Sequence, residues 1–158
     1  CESGQRERAM DKELVKEISI TNDTRHLSYV RKTVSELIHE SEFLERDINL
    51  VTIAVDEALA NVIEHAYRDC APGAEKIEVH LRVNSELFEI VVKDNGIGFD
   101  SNAKGKVDIE EHVHAGRKNG LGVYMMKKIM DEVRYSKDAD NMNELKMIKY
   151  ATKKQVEL

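Results

Sequence analysis

Proline is nearly absent and cysteine scarce: the 158-residue chain has one of the first and two of the second. Cys1 and Cys70 are far apart and one is terminal, so neither a metal-ligand pair nor a bridge is expected, and a reducing cytoplasm suits the chain. No apolar run approaches the roughly 18 residues that span a bilayer, and "CESGQRERAMDKELVKE" lacks the apolar core of a signal peptide. A membrane partner is therefore not expected. The net charge of -6, with acids and bases interspersed, also argues against a nucleic-acid surface. Repeats and linkers rich in Pro, Gly or Ser are missing too, and Pro72 falls in a turn, "RDCAPGAEK". One domain is expected over residues 14–158, behind a polar extension at 1–13. Neither a Walker A pattern nor Gly-x-Gly-x-x-Gly occurs.

What is present is strong periodicity. Ile18 and Ile20 mark a short strand. Leu27, Val30, Val34, Leu37 and Ile38 recur at helical spacing, with Asn22, Asp23 or Thr24 available as cap. A second helix is expected from about Asp47 to Tyr67, then two alternating strands, "KIEVHLRV" and "LFEIVVKD", joined in hairpin fashion at Asn84-Ser85. A polar stretch from Asp100 to Asn119 leads to a third helix, "GLGVYMMKKIMDE", and "VRYSKD" with "ELKMIKYATK" closes the chain as a strand pair. Helices grouped against a mostly antiparallel sheet make the fold α+β, a two-layer α/β sandwich.

Three clusters could carry chemistry. "DNGIGFD" places Asp94, Gly96 and Gly98 where a strand ends, which fits either a plain turn or a ligand loop. On the second helix Glu57, Asn61, Glu64 and His65 form one stripe at about 100° per residue. A solvated face accounts for that stripe as readily as a binding slot. In a slot, a carboxylate and a carboxamide one turn apart suit an oxygen-ligated cation such as Mg²⁺, which takes one or two protein oxygens plus waters and phosphates. Gly120 and Gly122 open the third helix, where backbone N–H groups and the helix dipole favour phosphate, although a tight turn has the same spelling.

The order of these clusters is the most specific feature. An E-x-x-x-N helix, a strand ending in D-x-G-x-G, a long polar loop and a G-x-G opening a helix resemble the GHKL (Bergerat-fold) ATPase superfamily over about residues 14 to 151. "VDEALANVIEHAY" and "GLGVYMMKKIMDEV" look most like its anti-sigma factor serine/threonine kinases. The resemblance implies a Bergerat-type fold with helices on one face of a mixed, mostly antiparallel sheet. It also implies ATP and Mg²⁺ as cofactors, a STAS-type anti-sigma factor antagonist as phosphoacceptor, a sigma factor as second partner, and a homodimer.

Residue by residue, the resemblance implies that Glu57 is the general base, Asn61 the Mg²⁺ ligand, and His65 a neighbour of that site. Asp94 then accepts from the adenine amino group, and Gly96 and Gly98 make room for the nucleotide. Gly120, Leu121 and Gly122 form the phosphate-side loop, Asp100 to Asn119 the mobile lid, and Lys118 or Arg117 the γ-phosphate contact. Arg31 is the arginine offered to protein partners. Where the family has Gly-Thr before its last strand this chain has "NMNELKM", which leaves Asn143 to replace the threonine on the adenine side. Two other readings remain: an anti-sigma module that binds nucleotide without kinase activity, and a catalytic fragment of a sensor histidine kinase.

Overall fold

The structure is a computed structural model that describes residues 12–152 apart from 42, 44, 68 and 97–117; for 65, 66 and 118–122 it describes the backbone only. The elements are β1 (Leu14–Thr21), α1 (Leu27–His39), α2 (Glu45–Asn61), a π-helical turn (Val62–Ala66), β2 (Lys76–Val83), β3 (Leu87–Asp94), α3 (Lys118–Ile129), β4 (Glu132–Lys137) and β5 (Asn143–Tyr150). The five strands form one sheet in the order β1-β2-β3-β5-β4, and all four described pairings are antiparallel. The antiparallel character expected of most of the sheet thus extends to every described pair.

Alternation decides which face is covered. Ile77, Val79, Leu81 and Val83 on β2, and Phe88, Ile90 and Val92 on β3, are all buried at every second position. Against them pack Val30, Val34 and Ile38 of α1, Val51, Ala54, Val55, Ala58 and Leu59 of α2, and Met126 and Ile129 of α3. The opposite face is held by ion pairs: Arg82 meets Glu89 at 3.1 Å and Glu13 at 3.0 Å, and Lys93 meets Asp138 at 3.2 Å. The result is two layers.

Side-chain oxygens set the connections. Asp23 Oδ1 accepts from the Arg25 N–H at 2.9 Å and caps a 3₁₀ turn, Thr24–His26, that leads into α1. In the β2–β3 hairpin Asn84 Oδ1 accepts from the N–H groups of Glu86 and Leu87. In the β4–β5 hairpin Asp138 Oδ1 accepts from Asp140 and Met142, and Asn141 takes φ 63°, a left-handed conformation that asparagine tolerates.

Candidate functional site

Asp94 ends β3 on the face that Phe88, Ile90 and Val92 bury, so the strand's own alternation carries a carboxylate to the edge of the core, where it is 6 % exposed. Its Oδ1 accepts from the Gly96 N–H at 2.9 Å and from Asn143 Nδ2 at 3.0 Å. Asn143 is its cross-strand neighbour on β5 and also donates to the Gly96 carbonyl at 2.9 Å. Both partners of Asn143 are oxygens, so the NH₂ end of the amide faces the loop. Among the described residues nothing donates to Asp94 Oδ2, so that oxygen could accept from a ligand. One residue on, the Asn95 N–H donates to the Tyr67 hydroxyl at 2.8 Å, and that hydroxyl donates to the Lys76 carbonyl at 3.3 Å. Burial pushes the Tyr67 phenol pKa up, against the hydrogen bond from Asn95, which lowers it.

Glu57 and Asn61 stand one turn apart at the end of α2. Glu57 is half-buried and Asn61 is 7 % exposed, so at these two positions the stripe does not face open solvent. Nδ2 of Asn61 is buried with no hydrogen-bond partner among the described residues. Such a group costs about 1–3 kcal/mol unless something pairs with it. Directly after Asn61 the helix widens into the π-helical turn Val62–Ala66, a rare local form frequent at functional sites. The wider turn shifts the phase of its own residues against α2: Glu64 is exposed, and the backbone of His65 lies within the turn.

The two adjacent acids of α2 differ in their partners. Asp56 accepts from Arg31 of α1 at 2.8 Å, an ion pair with the arginine side chain half exposed. No described residue engages the Glu57 carboxylate. Arg31 is thus paired with the residue that precedes Glu57 on α2. Lys118, Gly120, Leu121 and Gly122 all fall within the first half of α3, which begins two residues earlier than the glycines led us to expect. The first N–H groups of a helix lack intrahelical partners, and α3 packs beside α2. Gly98 and the segment from Asp100 to Arg117 lie outside the described residues.

These residues fit a magnesium nucleotide. Turning the Asn61 carboxamide about its last torsion puts an oxygen where the unpaired nitrogen stands, and an amide oxygen is a suitable Mg²⁺ ligand. Among the described residues no cluster of three or more His, Cys, Asp or Glu could hold a metal, and a cation held by Asn61 would draw on phosphate and water as well. No described helix is long and apolar enough to cross a membrane.

Sequence patterns did not reveal Tyr67, the π-helical turn or the Arg31–Asp56 pair. The signal for Tyr67 was only an aromatic at a helix end, which periodicity counts as a core residue. The bond to Asn95 spans 28 positions and needs the fold to exist.

The comparisons with known proteins give the family and the fold. The family described as histidine kinase-like ATPase domain matches residues 20–149. "Serine-protein kinase RsbW" of Bacillus cereus (strain AH187) is 32% identical over 145 residues, covering 89% of this chain and 88% of the relative. The protein of the same name from Bacillus thuringiensis subsp. konkukian (strain 97-27) matches to the same extent. Among solved structures, one of the SiaB-SiaC complex from Pseudomonas aeruginosa superposes with a TM-score of 0.62 at 12% identity, covering 92% of this chain and 95% of the other. One of the RsbU and RsbW domains of a Mycobacterium tuberculosis protein gives 0.58 at 16% identity, over 89% of this chain and 33% of that one. Both likenesses show the fold. This chain belongs to the histidine kinase-like ATPase domain family and, within it, to the serine-protein kinases of RsbW type.

Proposed function

We propose that the protein transfers the γ-phosphoryl group of ATP to a serine or threonine of a STAS-type anti-sigma factor antagonist, and that it sequesters a sigma factor as the alternative partner. The observation that carries the ATP reading is Asp94, a nearly buried carboxylate with one oxygen held by Gly96 and Asn143 and the other left for a donor such as the adenine amino group. Glu57 takes the proton of the acceptor hydroxyl as its oxygen attacks phosphorus; the bond to the bridging oxygen breaks and ADP leaves. Asn61 would hold Mg²⁺, which would supply charge neutralisation for the phosphates. Such a reaction needs in-line positioning and electrostatics more than covalent help. Gly120, Leu121 and Gly122 form the phosphate side with Lys118: the free N–H groups at the start of α3 reach up to Gly120, and the two glycines lack side chains that would keep a phosphate away. His65 belongs to the same site through the π-helical turn. The Mg²⁺ requirement, the partners, the cytoplasmic location and a homodimer are part of this proposal.

The second reading, a nucleotide-binding anti-sigma module without catalysis, is disfavoured by Glu57. Its neighbour Asp56 is neutralised by Arg31 at 2.8 Å, while Glu57 keeps its carboxylate free of described partners, as a base requires. The half-exposed Arg31 is the contact proposed for protein partners. The test is incubation with ATP, Mg²⁺ and candidate antagonist proteins, with the phosphate located by mass spectrometry. Phosphate on a single serine or threonine supports the reading, and ATP binding without transfer to any antagonist favours the module. Sigma factor and antagonist should also compete in a pull-down made in ATP and in ADP, because nucleotide can bias the choice only through differential contacts. Stable simultaneous binding of both would rule out the switch.

A further inference from the structure

Within the described residues, the hydrogen-bonded link from the end of the helix of Glu57 and Asn61 to the loop of Asp94 is one phenol. Tyr67 comes immediately after the π-helical turn, and it is 3 % exposed in the core. Its hydroxyl accepts from the Asn95 N–H at 2.8 Å and donates to the Lys76 carbonyl, the first residue of β2, at 3.3 Å. The three elements that meet there are the end of the catalytic helix, the start of the strand paired with β3, and the residue between Asp94 and Gly96. We infer that Tyr67 is a positioning residue for base recognition: it fixes the Asp94-Asn95-Gly96 backbone from the helix side, as Asn143 fixes it from β5.

The geometry carries this in two ways. Asn143 holds Asp94 Oδ1 and the Gly96 carbonyl, but it makes no bond to the peptide N–H between them. Without Tyr67 that N–H is left to solvent and the loop can pivot about the Asn143 amide, which swings Asp94 Oδ2 away from a fixed line of approach. The π-helical turn contributes the second part. One extra residue in the turn offsets the helix end by about 100° relative to a continuous α-helix, so Asn61 and Tyr67 take directions that an unbroken 3.6-residue repeat does not give them. Asn61 and Tyr67 then serve opposite ends of one ligand.

This inference rests on the nucleotide reading of the Asp94 loop, and its test separates the two. Calorimetry with ATP, ADP and ITP, whose base carries a carbonyl in place of the amino group, is run on the full chain and on Tyr67→Phe, alongside amide exchange measured residue by residue. The expected result is about a 3- to 10-fold loss of affinity for ATP and ADP alike, the scale of one hydrogen bond, with the preference for ATP over ITP reduced. Asn95 exchange should rise while Val79 and Val92 keep their protection. A loss equal for ATP and ITP, or a loss of protection across the sheet, would show a packing role only and overturn the inference. So would unchanged ATP affinity in the variant, or an unprotected Asn95 amide in the parent protein, which needs no variant at all. A parent protein that binds no ATP would sink the nucleotide reading itself.

Discussion

At the scale of the residue, β3 places an acid where its alternation otherwise puts Phe88, Ile90 and Val92, and a buried carboxylate persists only where donors hold it. Gly96 and Asn143 supply them at 2.9 and 3.0 Å. Asp94→Asn keeps one oxygen for those donors and sets an NH₂ against the adenine amine, so ATP binding should fall below detection in calorimetry while circular dichroism stays unchanged. Unaltered affinity in a folded variant would remove Asp94 from the base site. Asn143→Ala should weaken ATP less, because Gly96 still donates. On α2, Glu57→Ala should keep ATP affinity and lose phosphoryl transfer by about 100-fold or more, the scale of a positioned general base. Asn61→Ala should instead lower affinity only in the presence of Mg²⁺. Transfer at the parental rate by the Glu57 variant would refute the base assignment.

Among the elements, α1 and α2 divide the work. Val30, Val34 and Ile38 of α1 are fully buried, and the outward side chain of Arg31 adds one ion pair to α2, at Asp56. Ile38→Ala should therefore cost about 2–5 kcal/mol of stability in urea unfolding, as large-to-small changes in cores do, yet leave ATP affinity of the folded fraction intact. Arg31→Glu should do the reverse. It sets two carboxylates against each other on a half-exposed surface, where ion pairs are worth at most about 1 kcal/mol, so stability changes little while binding of the antagonist weakens. Equal antagonist binding by the variant would free Arg31 from the partner surface.

For the whole molecule, carboxylates held by donors set the response to acid, on the open face of the sheet and at the turn before α1. At that turn Asp23 is drawn down to about 2 by its side-chain hydrogen bond with Arg25. Asp138 is lowered chiefly by the Met142 N–H. Burial raises Glu89, but the hydrogen bonds from Arg82 and Lys146 outweigh it and its net shift is downward. A carboxylate with a lowered folded pKa contributes stability that is present above its unfolded pKa and lost as pH falls through the folded one. The urea midpoint should therefore decline as pH drops from about 5 to about 2, more steeply in the parent than in Asp23→Ala. A midpoint flat over that range would contradict the ion-pair account of these carboxylates.

The sequence by itself determined the elements and the site's alphabet. Period-two runs gave β2 and β3, helical spacing gave α1 and α2, and the order of Glu57, Asn61, Asp94, Gly96, Gly120 and Gly122 pointed to a nucleotide, since these signals are local and each is read within a few residues. Register and partner choice were decided only by tertiary structure. Whether the stripe on α2 met water or the interior depended on α3 packing beside it, and the buried, unpaired Asn61 answered that. Which of two adjacent acids stayed free depended on an arginine 25 positions away. The phenol that holds Asn95 became legible only once a π-helical turn, invisible to a 3.6-residue period, had aimed it. Hydrogen bonds across such separations carry no periodic trace in the chain, because the residues that make them become neighbours only when the core assembles.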